Sequence, residues 1–301
     1  GVAVDSTFLE RMSEDLTGKQ KALEAEIQEI AAEDFNVNSP QQLGEILFEK
    51  LKVHQEAGWK RAKRTKTGYS TNQQVLESLS FHPLPRRVLA YRKLAKLRST
   101  YVDALPKLVN PETERIHASF NQAVTATGRL STSNPNLQNI PIRTEMGREI
   151  RKAFVAQQDG WIIMSADYSQ IELRLMAHVS EDETLRESFK QGEDVHSRTA
   201  SEVLGVALAD VTGEQRSTAK MINYGVIYGM GQYGLARRLG IPVEEAGEFI
   251  DAYFTRYPGV NSYIAATIAR AYSEGYVTTL FNRRRYLPEL KNKNNNVRKF
   301  G

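Results

Sequence analysis

The chain has 301 residues, 41% of them hydrophobic and 25% charged, with no cysteine and a net charge of +4. That length supports one large domain or two to three subdomains with a sizeable core. The lack of cysteine excludes disulfides and cysteine-based zinc sites. No apolar run approaches a membrane span, so no membrane partner is expected. No signal peptide heads the chain; Gly1-Val2-Ala3-Val4 reads like the middle of a protein. A modest positive excess implies an acidic partner only where the cations cluster.

Residues 6–32 carry a helical period through Leu9, Met12, Leu16, Leu23, Ile27 and Ile30, with Ser6 as the expected cap. Ser39 and Pro40 open a second helix as N-cap and first helical residue. Residues 58–69 break the pattern. Lys60, Arg61, Lys63, Arg64 and Lys66 are five cations in seven residues, with no apolar helical face. They form either a solvated loop or a loop that neutralises phosphates. Ser70-Thr71-Asn72-Gln73-Gln74 predicts a capping box. Pro83 and Pro85 are expected to break the chain before a long helix through Val88, Leu89, Tyr91, Leu94, Leu97 and Tyr101.

Beyond residue 105 the pattern changes. Ile116, Ala118 and Phe120 alternate as a strand should, and Gln122, Val124 and Ala126 continue the alternation. Thr127-Gly128-Arg129-Leu130-Ser131 and Pro135-Asn136-Leu137-Gln138-Asn139-Ile140-Pro141 read as polar turns. Arg, Asn and Gln are also side chains that can donate to minor-groove acceptors, which are nearly the same for every base pair.

Trp161 to Asp167 is a short apolar run, the length of a buried strand, ending in a lone carboxylate. Ile171, Leu175 and Met176 then fit a helix beginning near Ser169. Asp167 and Ser169 either cap that helix, or Asp167 is a divalent-metal ligand held at a strand end. A helical region rich in polar turns follows from Glu181 to Gly213, with His196 inside it. Thr212 and Gln215 form a capping box. The helix behind it holds Arg216, Lys220, Tyr224 and Tyr228, spaced by four. Each step of four drifts about 40°, so the four share one broad face. Two cations and then two aromatics suit a triphosphate followed by a sugar and a base better than a core or a solvated face. Gly225, Gly229 and Gly231 imply a bend or a close approach. Amphipathic helices at about 243–256 and 260–274 lead to an expected strand at Tyr276–Leu280.

Asp167-Tyr168-Ser169-Gln170-Ile171-Glu172-Leu173-Arg174 resembles motif A of the family A DNA polymerases. Arg216 to Gly229 resembles motif B of the same family, and the turns at 127–131 and 135–141 resemble it almost residue for residue. The resemblance covers nearly the whole chain. It implies a mostly helical α+β fold of right-hand architecture: a thumb at 1–105, part of the palm at 106–180, fingers at 181–290, and a return toward the palm at 291–301. It implies a template-directed DNA polymerase, with primer–template DNA and dNTP as partners and two Mg²⁺ ions in the complete enzyme. It assigns Asp167 and Lys220 as catalytic. Asp167 and the Tyr168 carbonyl become metal ligands. Gln170, Glu172, His196, Arg216, Lys220 and Tyr224 become nucleotide contacts, with Glu172 as a steric gate against a 2′-hydroxyl. Arg129, Asn136, Gln138 and Tyr228, with Lys60, Arg61, Lys63 and Arg64, become DNA contacts. Asn282 to Pro288 matches the family's stretch leaving the fingers, and Arg283–Arg285 are expected near template or phosphates. Many members carry Phe where this chain has Tyr224, and Tyr there implies weak rejection of dideoxynucleotides.

The family's His-Asp-Glu motif, which supplies the second shared metal carboxylate, does not occur in the sequence. The expected consequence is an incomplete palm, with the missing part on a separate chain, lost by proteolysis or outside the sequence. The strand at 161–167 would then lack neighbours. Three readings follow: the body of a polymerase, a non-catalytic DNA- and nucleotide-binding module, or a nuclease. The last lacks the carboxylate cluster it would need. The compartment implied is the bacterial cytoplasm and nucleoid, or an equivalent reducing one; a phage source is also compatible.

Overall fold

The computed structural model describes residues 1–142 and 144–298. It divides into two compact units, residues 1–164 and 165–301, and is mostly helical with small sheets.

The first unit opens with β1 (Val2–Val4) and the long α1 (Ser6–Ala31). Asp5, not Ser6, caps α1: its carboxylate accepts from Phe8 N at 2.8 Å. The α1 stripe is buried at Leu9, Leu16 and Ile27, where the helical period places it. Ser39 caps α2 (Pro40–Glu45), with Pro40 in the first turn as expected. A π-helical turn and α3 (Val53–Glu56) follow. The basic loop is a small hairpin, β2 (Arg64–Thr65) against β3 (Gly68–Tyr69). Asn72 alone caps α4 (Gln73–Ser78), accepting from Val75 N, so the expected box at Ser70 is not formed. Pro83 and Pro85 do not break the chain. They lie in the first turn of α5 (Pro83–Leu97), where no backbone N–H is needed for the helix. Leu43, Leu47, Leu76, Leu84 and Val88 pack with Ile27 in one core of this unit.

β1 is central to an antiparallel sheet that also holds β4 (Val109–Asn110), β5 (Arg115–Ile116) and β8 (Phe154–Val155), in the order β4-β5-β1-β8. Before β8 come β6 (Ser119–Asn121), paired with β7 (Ser131–Ser133), and α6 (Glu145–Lys152). The alternation through Gln122, Val124 and Ala126 yields bends and turns rather than strand.

Residues 161–168 form neither strand nor helix, against the expected buried strand. Ile162 is 86% and Met164 83% exposed. An extended run becomes a strand only when a neighbour takes its N–H and C=O groups. No such neighbour pairs with it among the described residues.

The second unit is built on α7 (Ile171–Ser180), α8 (Glu183–Lys190), α9 (Val195–Val203), α10 (Gly213–Ile227), α11 (Gln232–Leu239), α12 (Val243–Arg256) and α13 (Pro258–Glu274). α7 starts at Ile171, behind Gln170 at φ +53°, and has no side-chain cap; the capping role considered for Asp167 and Ser169 is not seen. Its core joins Leu173, Val195, Ile222, Val226, Leu235, Tyr253 and Tyr257. The strand expected at 276–280 is shorter, β9 (Tyr276–Thr278), and pairs antiparallel with β10 (Arg284–Tyr286). α14 (Asn295–Arg298) closes the described chain. Among the described residues no helix is long and apolar enough to cross a membrane.

Candidate nucleotide-binding face

The capping box at the start of α10 forms as expected: Gln215 N donates to Thr212 Oγ1 and Thr212 N to Gln215 Oε1. It fixes the register of the row Arg216, Lys220, Tyr224 and Tyr228. The opposite face, Ala219, Ile222, Asn223 and Val226, is buried. The row lies off that buried face, although the half-buried Tyr224 ring also packs against the core. Lys220 is exposed. Tyr228 closes the helix and is 61% exposed. Gly229 follows at φ +74°, ending the helix as a residue with a Cβ would not readily do. A Cβ on Gly225 would sit 3.3 Å from Met230 Sδ, so this glycine serves a close side-chain approach.

Arg216 is engaged. Its Nε and a terminal nitrogen lie 2.8 and 2.7 Å from Asp194 Oδ2. Asp194 Oδ1 also caps α9, accepting from His196 N at 2.9 Å and Ser197 N at 3.1 Å. Burial opposes ionisation of Asp194. The Arg216 hydrogen bond and charge, with the two backbone N–H groups, outweigh it and hold the carboxyl below its ordinary value.

His196 is 2% exposed, and its ring centroid is 5.7 Å from that of Tyr224. Burial lowers its pKa to about 4; Asp194 opposes the shift, and the charges of Arg216 and Lys220 add to it. It is therefore a neutral imidazole at pH 7. Burial raises the Tyr224 phenol, and the charges of Glu172, Tyr228 and Asp167 raise it further. The structure thus gathers Asp167, Glu172, His196, Arg216, Lys220, Tyr224 and Tyr228 within one unit. Gln170, also in it, occupies the left-handed N-cap position of α7.

Of the expected DNA contacts, Tyr228 lies in the second unit and the rest belong to the first. Arg129, Asn136 and Gln138 are exposed on the turns beside β7. Asn136 Oδ1 accepts from Thr132 Oγ1 at 3.0 Å and Gln138 N at 3.1 Å, and Gln138 Nε2 donates to Leu130 O at 3.3 Å. Each amide thus spends one group on shaping the turn. Lys60, Arg61, Lys63 and Arg64 are exposed, with Lys63 over the Trp59 ring at 5.6 Å and Arg64 over Tyr69 at 4.6 Å.

Among the described residues no group of three or more His, Asp or Glu could hold a metal ion. Asp167 and the Tyr168 carbonyl offer one carboxylate, whereas two ions a few Å apart need shared ones. The residues present do not make up a two-ion centre.

Sequence reasoning overlooked Asp194 and Asn223. Asp194 carried a signal, an N-cap residue before Val195. Asn223 carried another, a residue of low helix propensity inside a long helix.

A family model, "DNA polymerase family A", matches residues 6–301. The chain belongs to that family. Its family A relatives include the DNA polymerase I of Geobacillus stearothermophilus, 50% identical over all of this chain and 34% of that protein. The DNA polymerase I of Bacillus subtilis is also 50% identical, again over 34% of its length. That of Pseudomonas aeruginosa is 51% identical over 99% of this chain and 32% of its own. A solved structure, the POL domain of Pol1 from M. smegmatis in complex with DNA primer-template and dNTP, superposes with a TM-score of 0.88 at 43% identity. The match covers 99% of this chain and 52% of that one. The chain thus spans about a third of the length of these curated family A relatives.

Proposed function

We propose that the chain is the DNA- and nucleotide-handling body of a template-directed DNA polymerase. Residues 1–105 serve as thumb, 106–180 as part of the palm, 181–290 as fingers and 291–301 as the return toward the palm. The reaction it serves is attack of a primer 3′-hydroxyl on the α-phosphate of a dNTP, releasing pyrophosphate. The observation that carries this reading is the row on α10, two cations and then two tyrosines, with the His196 ring against Tyr224.

On that face, Lys220 places a compact charge and Arg216 a planar fork on the triphosphate. His196 adds a neutral hydrogen bond. Tyr224 lies against sugar and base, Tyr228 beside the templating base, and Glu172 fills the space of a 2′-hydroxyl. Arg129, Asn136 and Gln138 grip the minor groove without reading sequence. Lys60, Arg61, Lys63 and Arg64 take phosphates. Bound Mg²⁺ would supply charge neutralisation and hydroxyl activation. The described residues hold no group of three or more His, Asp or Glu that would bind it. The same observation favours a second reading, a chain that binds DNA and dNTP without joining them. The reading takes the reducing bacterial cytoplasm, which holds the nucleoid, as the compartment, in keeping with the bacterial source of the relatives.

Primer extension by the 301-residue chain, beside binding to the same primed template, separates the two. Extension abolished by Asp167→Ala supports the polymerase reading. Binding without extension supports the second. Failure to bind overturns both.

A further inference from the structure

A buried polar chain runs behind the α10 face and ends on His196. Asn223 is wholly buried, and its side-chain nitrogen lies 3.1 Å from His196 Nδ1. Asn223 Oδ1 lies 3.1 Å from Thr199 Oγ1, which is also 2.9 Å from Val195 O and 3.2 Å from the Tyr257 hydroxyl. Thr199 has one proton and two carbonyl acceptors, so the Tyr257 hydroxyl must donate to it. Tyr257 then donates to Thr199, the single Thr199 proton is shared between Val195 O and Asn223 Oδ1, and the Asn223 amide N–H donates to His196 Nδ1.

We propose that Asn223 is a positioning residue that holds His196 as the Nε2–H tautomer, so that a buried neutral imidazole presents a fixed hydrogen-bond donor to the nucleotide's phosphate oxygens. The inference rests on the proposed nucleotide role of His196 and names what tunes it. A neutral imidazole is a donor at one nitrogen and an acceptor at the other. An acceptor nitrogen would repel an anionic oxygen, so the tautomer decides whether His196 helps or hinders. Nδ1 is taken by Asn223, which leaves Nε2 as the nitrogen that carries the proton. Asn223 and Tyr224 are consecutive, so one helical turn carries both the nucleotide-facing ring and the group that orients the histidine behind it.

The test has two readouts. Nitrogen-15 NMR of the 301-residue chain with labelled histidine reports the His196 tautomer without nucleotide. Titration with dTTP reports affinity in wild type, Asn223→Leu, His196→Phe and the double variant. The expected result is Nε2–H in wild type and a mixture of tautomers in Asn223→Leu. Affinity falls about tenfold in each single variant, since the hydrogen bond is to a charged group. The double variant shows no further loss beyond His196→Phe, because Asn223 acts through the histidine. A wild-type Nδ1–H tautomer, with the Asn223 amide turned over, overturns the proposal whether or not the variants fold. So does additive loss in the double variant, which would make Asn223 merely structural. A wild type with the Nε2–H tautomer that does not bind dTTP overturns the nucleotide reading and the role built on it, and leaves the tautomer assignment standing.

Discussion

Asp182 and Gly259 meet across 77 positions of sequence. One carboxylate oxygen of Asp182 caps α8 through Leu185 N at 3.0 Å; the other accepts from Gly259 N at 2.9 Å, in the first turn of α13. Asp182 is buried, and a Cβ on Gly259 would stand 2.9 Å from the Asp182 Cα. One side chain therefore fixes the starts of two helices, and only glycine leaves room for it.

Asp182→Ala is expected to destabilise the second unit by about 2–3 kcal/mol, since it removes a cap and strands a second N–H. Gly259→Ala is expected to cost about 1–3 kcal/mol through overpacking against backbone. Urea midpoints measure both, and a Gly259→Ala variant as stable as wild type would contradict the close approach.

His196 predicts a pH dependence. Its folded pKa of about 4 lies below the ordinary value of 6.5, so the unfolded chain binds the extra proton first. The stability tied to its neutral form is complete above about pH 6.5 and is lost as pH falls toward 4. The full span is on the order of 3 kcal/mol. The stability difference between wild type and His196→Gln should shift in the variant's favour between pH 7 and 4.5, as urea unfolding at each pH would show. A difference constant with pH would refute the buried neutral state.

The Asp194–Arg216 pair separates capping from charge. Asp194→Ala loses the α9 cap at about 1 kcal/mol, while Asp194→Asn keeps an acceptor for it. Asp194→Asn should also release Arg216. Because the pair is half exposed and worth at most about 1 kcal/mol, dTTP affinity should rise no more than about fivefold. Calorimetric titration measures the gain; weaker binding by Asp194→Asn would show that the pair positions Arg216 for the nucleotide.

Tyr224→Phe, in a full-length enzyme, is expected to strengthen discrimination against dideoxynucleotides over deoxynucleotides. Competition in single-nucleotide incorporation measures this directly. The ring's contact with His196 does not use the hydroxyl, so folding should be unaffected.

What the sequence determined by itself is local. The caps at Ser39 and Thr212 and the four-residue row on α10 rest on contacts within a turn or two of helix. A helix satisfies its own backbone, so its pattern is legible wherever it lies. The motif A and motif B residues were legible too, as residue types in fixed order. The tertiary structure alone decided the rest. Trp161–Asp167 has a strand's composition, but a strand needs a neighbour, and none pairs with it among the described residues. The period of α10 separates its buried face from the row of cations and tyrosines; it does not say that Asn223 meets His196, or that Arg216 meets Asp194. Those pairings join helices 22 to 27 residues apart in sequence. Burial, which makes His196 neutral and costs a polar group its water, is set by packing that no short-range pattern encodes.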